Sequence, residues 1–230
     1  MMMKKILLMV AAVSAIAVAE APQEAVTLRM NLEKGQAYAS KVNVQVDFSG
    51  QTINVTSKSI TTVKSAENGV FVLESAQSEM MIDMGGGQTM EQPDSTLTIT
   101  QNAMGKILKV EGDMVTEEAS RLMNAFNFFY PEKAVKAGDK WETTIAADKD
   151  LGTRELTIKY EMVEIKDWKG KKVAVLKVDH TESGEMPISV SGTVAVEIKT
   201  GMPMMMDLAF KNMPQMGMTF DGTWKTEAIL

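Results

Sequence analysis

The chain has 230 residues, 45% of them hydrophobic, with no cysteine, a single histidine and a formal net charge of −6 at pH 7. An acidic balance with both signs interspersed excludes nucleic acid as a partner and docking onto anionic lipid by charge. Without cysteine there is no disulfide, no thiolate chemistry and no cysteine lipid anchor.

Lys4 and Lys5 precede an apolar run from Ile6 to Val18, and Ala17-Val18-Ala19 offers small residues for cleavage before Glu20. That pattern predicts a secretory signal over residues 1–19. The run is shorter than the ~20 apolar residues a spanning helix needs, so the mature form is expected to carry no transmembrane anchor. Removing the two lysines takes the formal charge from −6 to −8. Export without disulfides implies a periplasmic or secreted protein, with 20–230 as one β-rich domain stabilised by its core alone.

Leu32 to Tyr38 and Val135 to Trp141 each set an apolar residue three before a glycine, Gly35 or Gly138, and an aromatic three after it. Each leads into alternating sequence, which predicts two tandem similar halves, about 26–112 and 131–230. In the first, Val42, Val44, Val46 and Phe48 alternate with polar residues. Thr52 to Val63 is strand-like, and Asn68-Gly69 suits a hairpin turn. Val70 to Ser78, then Met80, Ile82 and Met84, extend the pattern to the flexible Gly85-Gly86-Gly87. Leu97 with Ile99, and Ile107 to Val110, follow around Gly105.

One helix is expected near the junction, over about 116–130. Thr116 is its N-cap, Glu117 and Glu118 suit the positive end of its dipole, and Pro131 closes it. Ala119, Leu122, Met123 and Phe126 recur at helical spacing, as a face packed on a sheet would. In the second half Leu156, Ile158, Tyr160 and Met162 alternate, Trp168 to Lys171 is a turn, and Val173 to Val178 is a strand. Ile188, Val190, Val194, Val196 and Ile198 alternate next, and Gly201 matches Gly105. The fold class is mainly β: a curved antiparallel sheet or half-barrel from two tandem halves, with one helix.

His180 stands alone at a strand end, with no second histidine for a zinc site and no nucleophile elbow. No phosphate-cradling glycine motif occurs, and no carboxylate pair stands out as acid and base. The chain is read as no enzyme, with no cofactor. Methionine is the chemical peculiarity, with seven between Met202 and Met218. Met204, Met206, Leu208 and Phe210 share one parity, as do Met216, Met218, Phe220 and Trp224, while Met205, Asp207, Ala209 and Lys211 take the other. With a turn at Asn212 to Gln215, this reads as a hairpin with one apolar face. Met204, Met206, Phe210, Met216 and Met218 are therefore the candidate residues for an apolar ligand, a lipid or a partner surface, since flexible Met faces suit irregular apolar surfaces. Thioethers also select Cu(I), and Met202, Met204, Met213 and Met216 are the alternative copper set. A structural envelope protein without ligand is the third reading.

The signal, the Leu32 to Tyr38 opening, the Pro131 to Trp141 segment ending in Gly-Asp-x-Trp and the Gly192-Thr193 strand leading to Gly201 resemble an uncharacterised family of exported bacterial β-rich proteins. That resemblance implies no activity and carries over no functional residue. In outline the layout is also similar to periplasmic lipoprotein and lipid carriers of the LolA and LppX type, an analogy of fold only.

Overall fold

The alternation around Val42 belongs to a strand, β1 (Ala37–Phe48), whose even-numbered valines face the core while the odd positions stay exposed. The computed structural model describes residues 24–48, 50–112, 115–215 and 217–230; the signal expected over 1–19 and Met216 lie outside the described residues. β2 (Gln51–Glu67) and β3 (Val70–Asp83) form a long hairpin, followed by β4 (Thr89–Gln92), β5 (Ser95–Asn102) and β6 (Ile107–Glu111). The helix α1 (Glu117–Phe126) comes next, and then β7 (Lys140–Ile145), β8 (Leu156–Trp168), β9 (Lys171–Glu182), β10 (Ser189–Glu197), β11 (Pro203–Gln215) and β12 (Met218–Ile229). All pairings are antiparallel, in one open twelve-stranded sheet of order β6-β5-β3-β2-β1-β12-β11-β10-β9-β8-β7, with β4 attached to β3. The sheet does not close into a barrel. Its two halves meet where β1 pairs with β12.

The two openings are built alike. Gly35 and Gly138 both sit at φ +88°, a left-handed conformation that glycine adopts without a Cβ penalty. Gly35 N–H donates to the Val63 carbonyl at 2.8 Å and Gly138 N–H to the Met162 carbonyl at 2.7 Å. Val63 and Met162 answer by donating to Gln36 and Asp139. Just beyond, both long strands carry a bulge, at Val63/Ser65 and at Met162/Glu164. Bulges bend a strand and raise its twist, so both hairpins curl at the same point. Trp141 enters β7 half-buried and stacked on Tyr160, with ring centroids 5.0 Å apart.

Two extended segments tie the halves together at this end. Val26 and Val135 pair antiparallel through both backbone hydrogen bonds. Met30 N–H donates to Ala103 in the β5–β6 turn, and Asn31 N–H to Thr200 in the β10–β11 turn. Tyr130 does the same from the other segment, its N–H donating to Met104 and its hydroxyl to Gly201. Leu28, Met30 and Leu32 thereby enter the main core with Phe128 and Phe129.

The helix is shorter than the expected 116–130. Thr116 does cap it, accepting from Ala119 N–H at 3.1 Å. Asn127, however, is already extended, and its side chain donates to the Gly105 carbonyl. The aromatic run Phe128–Tyr130 works as a strap across the turns, so Pro131 closes nothing. The face turned inward also differs. Ser120, Arg121, Asn124 and Ala125 are the buried residues, while Leu122 and Phe126 pack at the side. An anchored arginine and a small alanine let the helix lie close to β9, β10 and β11.

Candidate functional site

The final hairpin does not hold its methionines on one face. The β10–β11 register shifts at Ala195/Val196, so that Met205 faces Ala195 while Pro203 faces Val196. The extra residue, Met204, packs with Val173 and Ala195, apart from the main cluster that receives Met206, Leu208 and Phe210. A second shift lies between Phe210 and Met213, where Asn212 takes φ +56° and its N–H donates to the Asp221 carboxylate. β11 therefore runs on to Gln215 and does not turn at Asn212–Gln215. Among the described members of the expected ligand set, Phe210 is 1% exposed beneath the helix, Met206 is half-buried between the main core and the open face, Met204 is buried elsewhere and Met218 is exposed. Of the copper set, Met213 is in the main core, Met202 packs against its edge, and Met204 belongs to the separate cluster.

The helix closes the inner face of this hairpin. Phe126 lies 5.8 Å from Phe210 edge-on and 5.0 Å from Trp224. Gly222 makes room: a Cβ there would sit 2.6 Å from the Phe210 ring and 2.0 Å from the Gln45 carbonyl. Beside these rings Arg121 binds Glu182 through two nitrogens, at 2.6 and 3.3 Å, and Ile188 N–H also donates to that carboxylate at 3.1 Å. His180 Nδ1–H donates to the Ala125 carbonyl at 2.7 Å, and Nε2 is buried without a partner. Burial pushes the imidazole down to about 4, against a smaller upward pull from that hydrogen bond. A second proton on Nε2 would find nothing to receive it. This histidine is a neutral helix anchor.

The opposite face of the same strands is open. Lys169, at the tip of the β8–β9 hairpin, reaches Glu227 on β12 at 2.8 Å. Flat strands spaced about 4.8 Å apart would put β8 and β12 about 19 Å from each other, further than these two side chains can bridge. The sheet therefore folds over here, in the sense of the bend that the bulge at Met162/Glu164 puts into β8. Trp168 follows the hairpin over and packs on Val173, Ala195 and Met204, with the Lys169 ammonium 4.6 Å from its ring centroid.

Between the folded hairpin and the strands β1 to β3 lies a groove of about 710 Å³. Its apolar lining is Val175, Ala195 and Met205 of the outward cluster, with Val42, Val194 and Met206 of the main core at its margin; Thr193 lines both this groove and a second hollow of about 510 Å³ that runs towards β7. Four lysines rim the groove, Lys41, Lys58, Lys166 and Lys225, with three carboxylates, Glu79, Asp207 and Glu227. Each carboxylate is occupied: Glu79 by Lys58 at 2.6 Å, Asp207 by Lys225 at 3.2 Å and Glu227 by Lys169. The hydrogen bond and charge of Lys169, with a smaller contribution from Lys41, hold the Glu227 carboxyl below the usual range. The volume falls within the range of small-molecule sites, about 300–1,000 Å³. The residues that sequence reasoning passed over are the odd-parity ones, Met205 among them, which alternation had separated from Met206. The chain matches no known family model and no curated protein.

Proposed function

We propose that this is an exported, non-enzymatic binding protein that carries an apolar or amphipathic small molecule in the groove on the uncovered face of its sheet. One observation carries the reading. Val175, Ala195 and Met205 form an apolar floor between two walls, on a face that no helix among the described residues covers. Natural sheets with one solvated face alternate apolar-in and polar-out, so apolar residues at outward positions inside a concavity call for an occupant. The methionine suits an irregular ligand, since its unbranched chain repacks easily. Export is supported by the basic, apolar and small-residue pattern of residues 1–19.

The test is saturable binding of a fluorescent long-chain probe by the purified mature protein, repeated on Thr193→Trp. Thr193 is exposed and lines the groove, so an indole there takes up groove space without entering the core. Binding is expected in the parent and lost in the variant, at unchanged melting temperature. A parent without saturable binding ends the reading. N-terminal sequencing of exported protein is expected to begin at Glu20; retention of Met1 there would remove the export argument.

A further inference from the structure

We propose that the molecule held in the groove is a single-chain amphiphile with one carboxylate head, and that Lys41 receives that head; this rests on the carrier reading above. The cations of the rim are not equivalent. Lys58, Lys225 and Lys166 each have a carboxylate, the last being Glu164 at 2.9 Å. Lys41 has none within ion-pair distance among the described residues, although it stands directly across from Glu227 on β12. That carboxylate is drawn away by Lys169 from the folded hairpin.

On its other side Lys41 faces Lys58 across the β1–β2 pair. Like charges directly opposite on a sheet are destabilising. The structure relieves half of this by an expensive device. β3 bulges opposite Ser57, and Glu79 is held there at φ +52°, a conformation glycine adopts more readily. The result is a carboxylate 2.6 Å from Lys58. Strained residues of this kind concentrate at binding sites, where the surroundings over-determine them. Here the strain neutralises one lysine and leaves the other free.

One unpaired ammonium, two strands from Met205 across a Glu227 that Lys169 neutralises, matches one negative charge at the end of one apolar chain. A phosphate dianion is better served by arginine forks or several free cations, and no arginine lines the groove. A cationic amphiphile would meet repulsion from Lys41. A neutral one would bury the floor and leave the ammonium with only the weak pull of Glu227, which Lys169 already neutralises.

Three fluorescent probes of equal chain length test this, a carboxylate, the corresponding alcohol and the corresponding amine. The parent is expected to bind the carboxylate roughly tenfold more tightly than the alcohol, as a hydrogen bond to a charged group allows, and the amine most weakly. Lys41→Gln should bring the carboxylate down to the alcohol's affinity and leave the alcohol unchanged. Lys211→Gln, exposed on β11 outside the groove, should change neither. Equal affinity for acid and alcohol in the parent, or a Lys41→Gln that weakens both alike, overturns the assignment of the head and leaves the carrier reading standing. If none of the three binds the parent, the carrier reading itself fails, and the assignment with it.

Discussion

Where β10, β11 and β12 run side by side, the same three strands show two different surfaces. On one, Phe210, Val190 and Leu208 are almost fully buried beneath α1, beside an arginine–glutamate pair and a neutral histidine. On the other, Thr193, Met205, Asp207 and Lys225 border a groove. Both carry apolar side chains, so hydrophobicity does not distinguish them. The difference lies in what lies across from those side chains. The helix brings aromatic rings and a charge partner to the first face; the curled β8–β9 hairpin brings only a wall to the second. An apolar residue opposite a fixed element stabilises the fold, and one opposite open space is available to a ligand.

The sharpest test of the closed face is its ion pair. The side chain of Glu182 is 2% exposed and that of Arg121 is 10% exposed. Removing one partner of such a pair leaves a buried charge uncompensated, at a cost of about 3–5 kcal/mol. Glu182→Ala should lose that much in urea melts. The double variant Arg121→Met/Glu182→Leu should recover most of it, because apolar replacement of both partners is often neutral or better. A loss below about 1 kcal/mol in the single variant would mean that the helix is held by its rings alone.

His180 gives the same face a pH signature. Its folded-state value of about 4 lies below the ordinary 6.5, so the unfolded chain takes up the proton first as pH falls. The contribution of the neutral imidazole is fully present above about pH 6.5 and declines progressively to about pH 4, by about 3 kcal/mol in all. His180→Gln should flatten that part of the stability–pH curve, leaving only the slope due to carboxylates. Parent and variant curves that run parallel between about pH 6.5 and pH 4.5 would show that the folded histidine titrates normally.

Alternation made most strands legible, because one face of the sheet is dry. The paired glycine openings and the Thr116 cap were equally plain, each resting on local chemistry. Other features depend on distant partners. The pairing of β1 with β12 joins the first and last strands, and no local pattern encodes it. The strap Phe128–Tyr130 reads as helix until Gly105, Met104 and Gly201 claim its hydrogen bonds. The bulges at Met204 and Asn212 matter most for the site. A slip of one residue sends a side chain to the other face, so parity carried through Met204 grouped it with Met206. The groove itself left little trace in the sequence. Its floor is three residues from three strands, and its rim consists of lysines that resemble any solvated face.

Aspartate at two adjacent positions separates the surfaces most finely. Met206 is half-buried against the main core and only borders the groove, so a carboxylate there would lie largely among apolar groups. Met206→Asp should cost about 1–3 kcal/mol, as for a buried polar group left unsatisfied. Met205 looks the other way, onto the groove, where water reaches it and the ligand would lie. Met205→Asp should change stability by no more than about 0.5 kcal/mol, as surface substitutions do. It should nevertheless abolish binding of a long-chain carboxylate, by charging the floor and repelling the head. Thermal melts and probe titrations on the two variants read both quantities. A costly Met205→Asp beside a mild Met206→Asp would place β11 one residue out of register. If Met206→Asp folds and loses the probe while Met205→Asp keeps it, the floor around Met205 is not where the chain of the ligand lies.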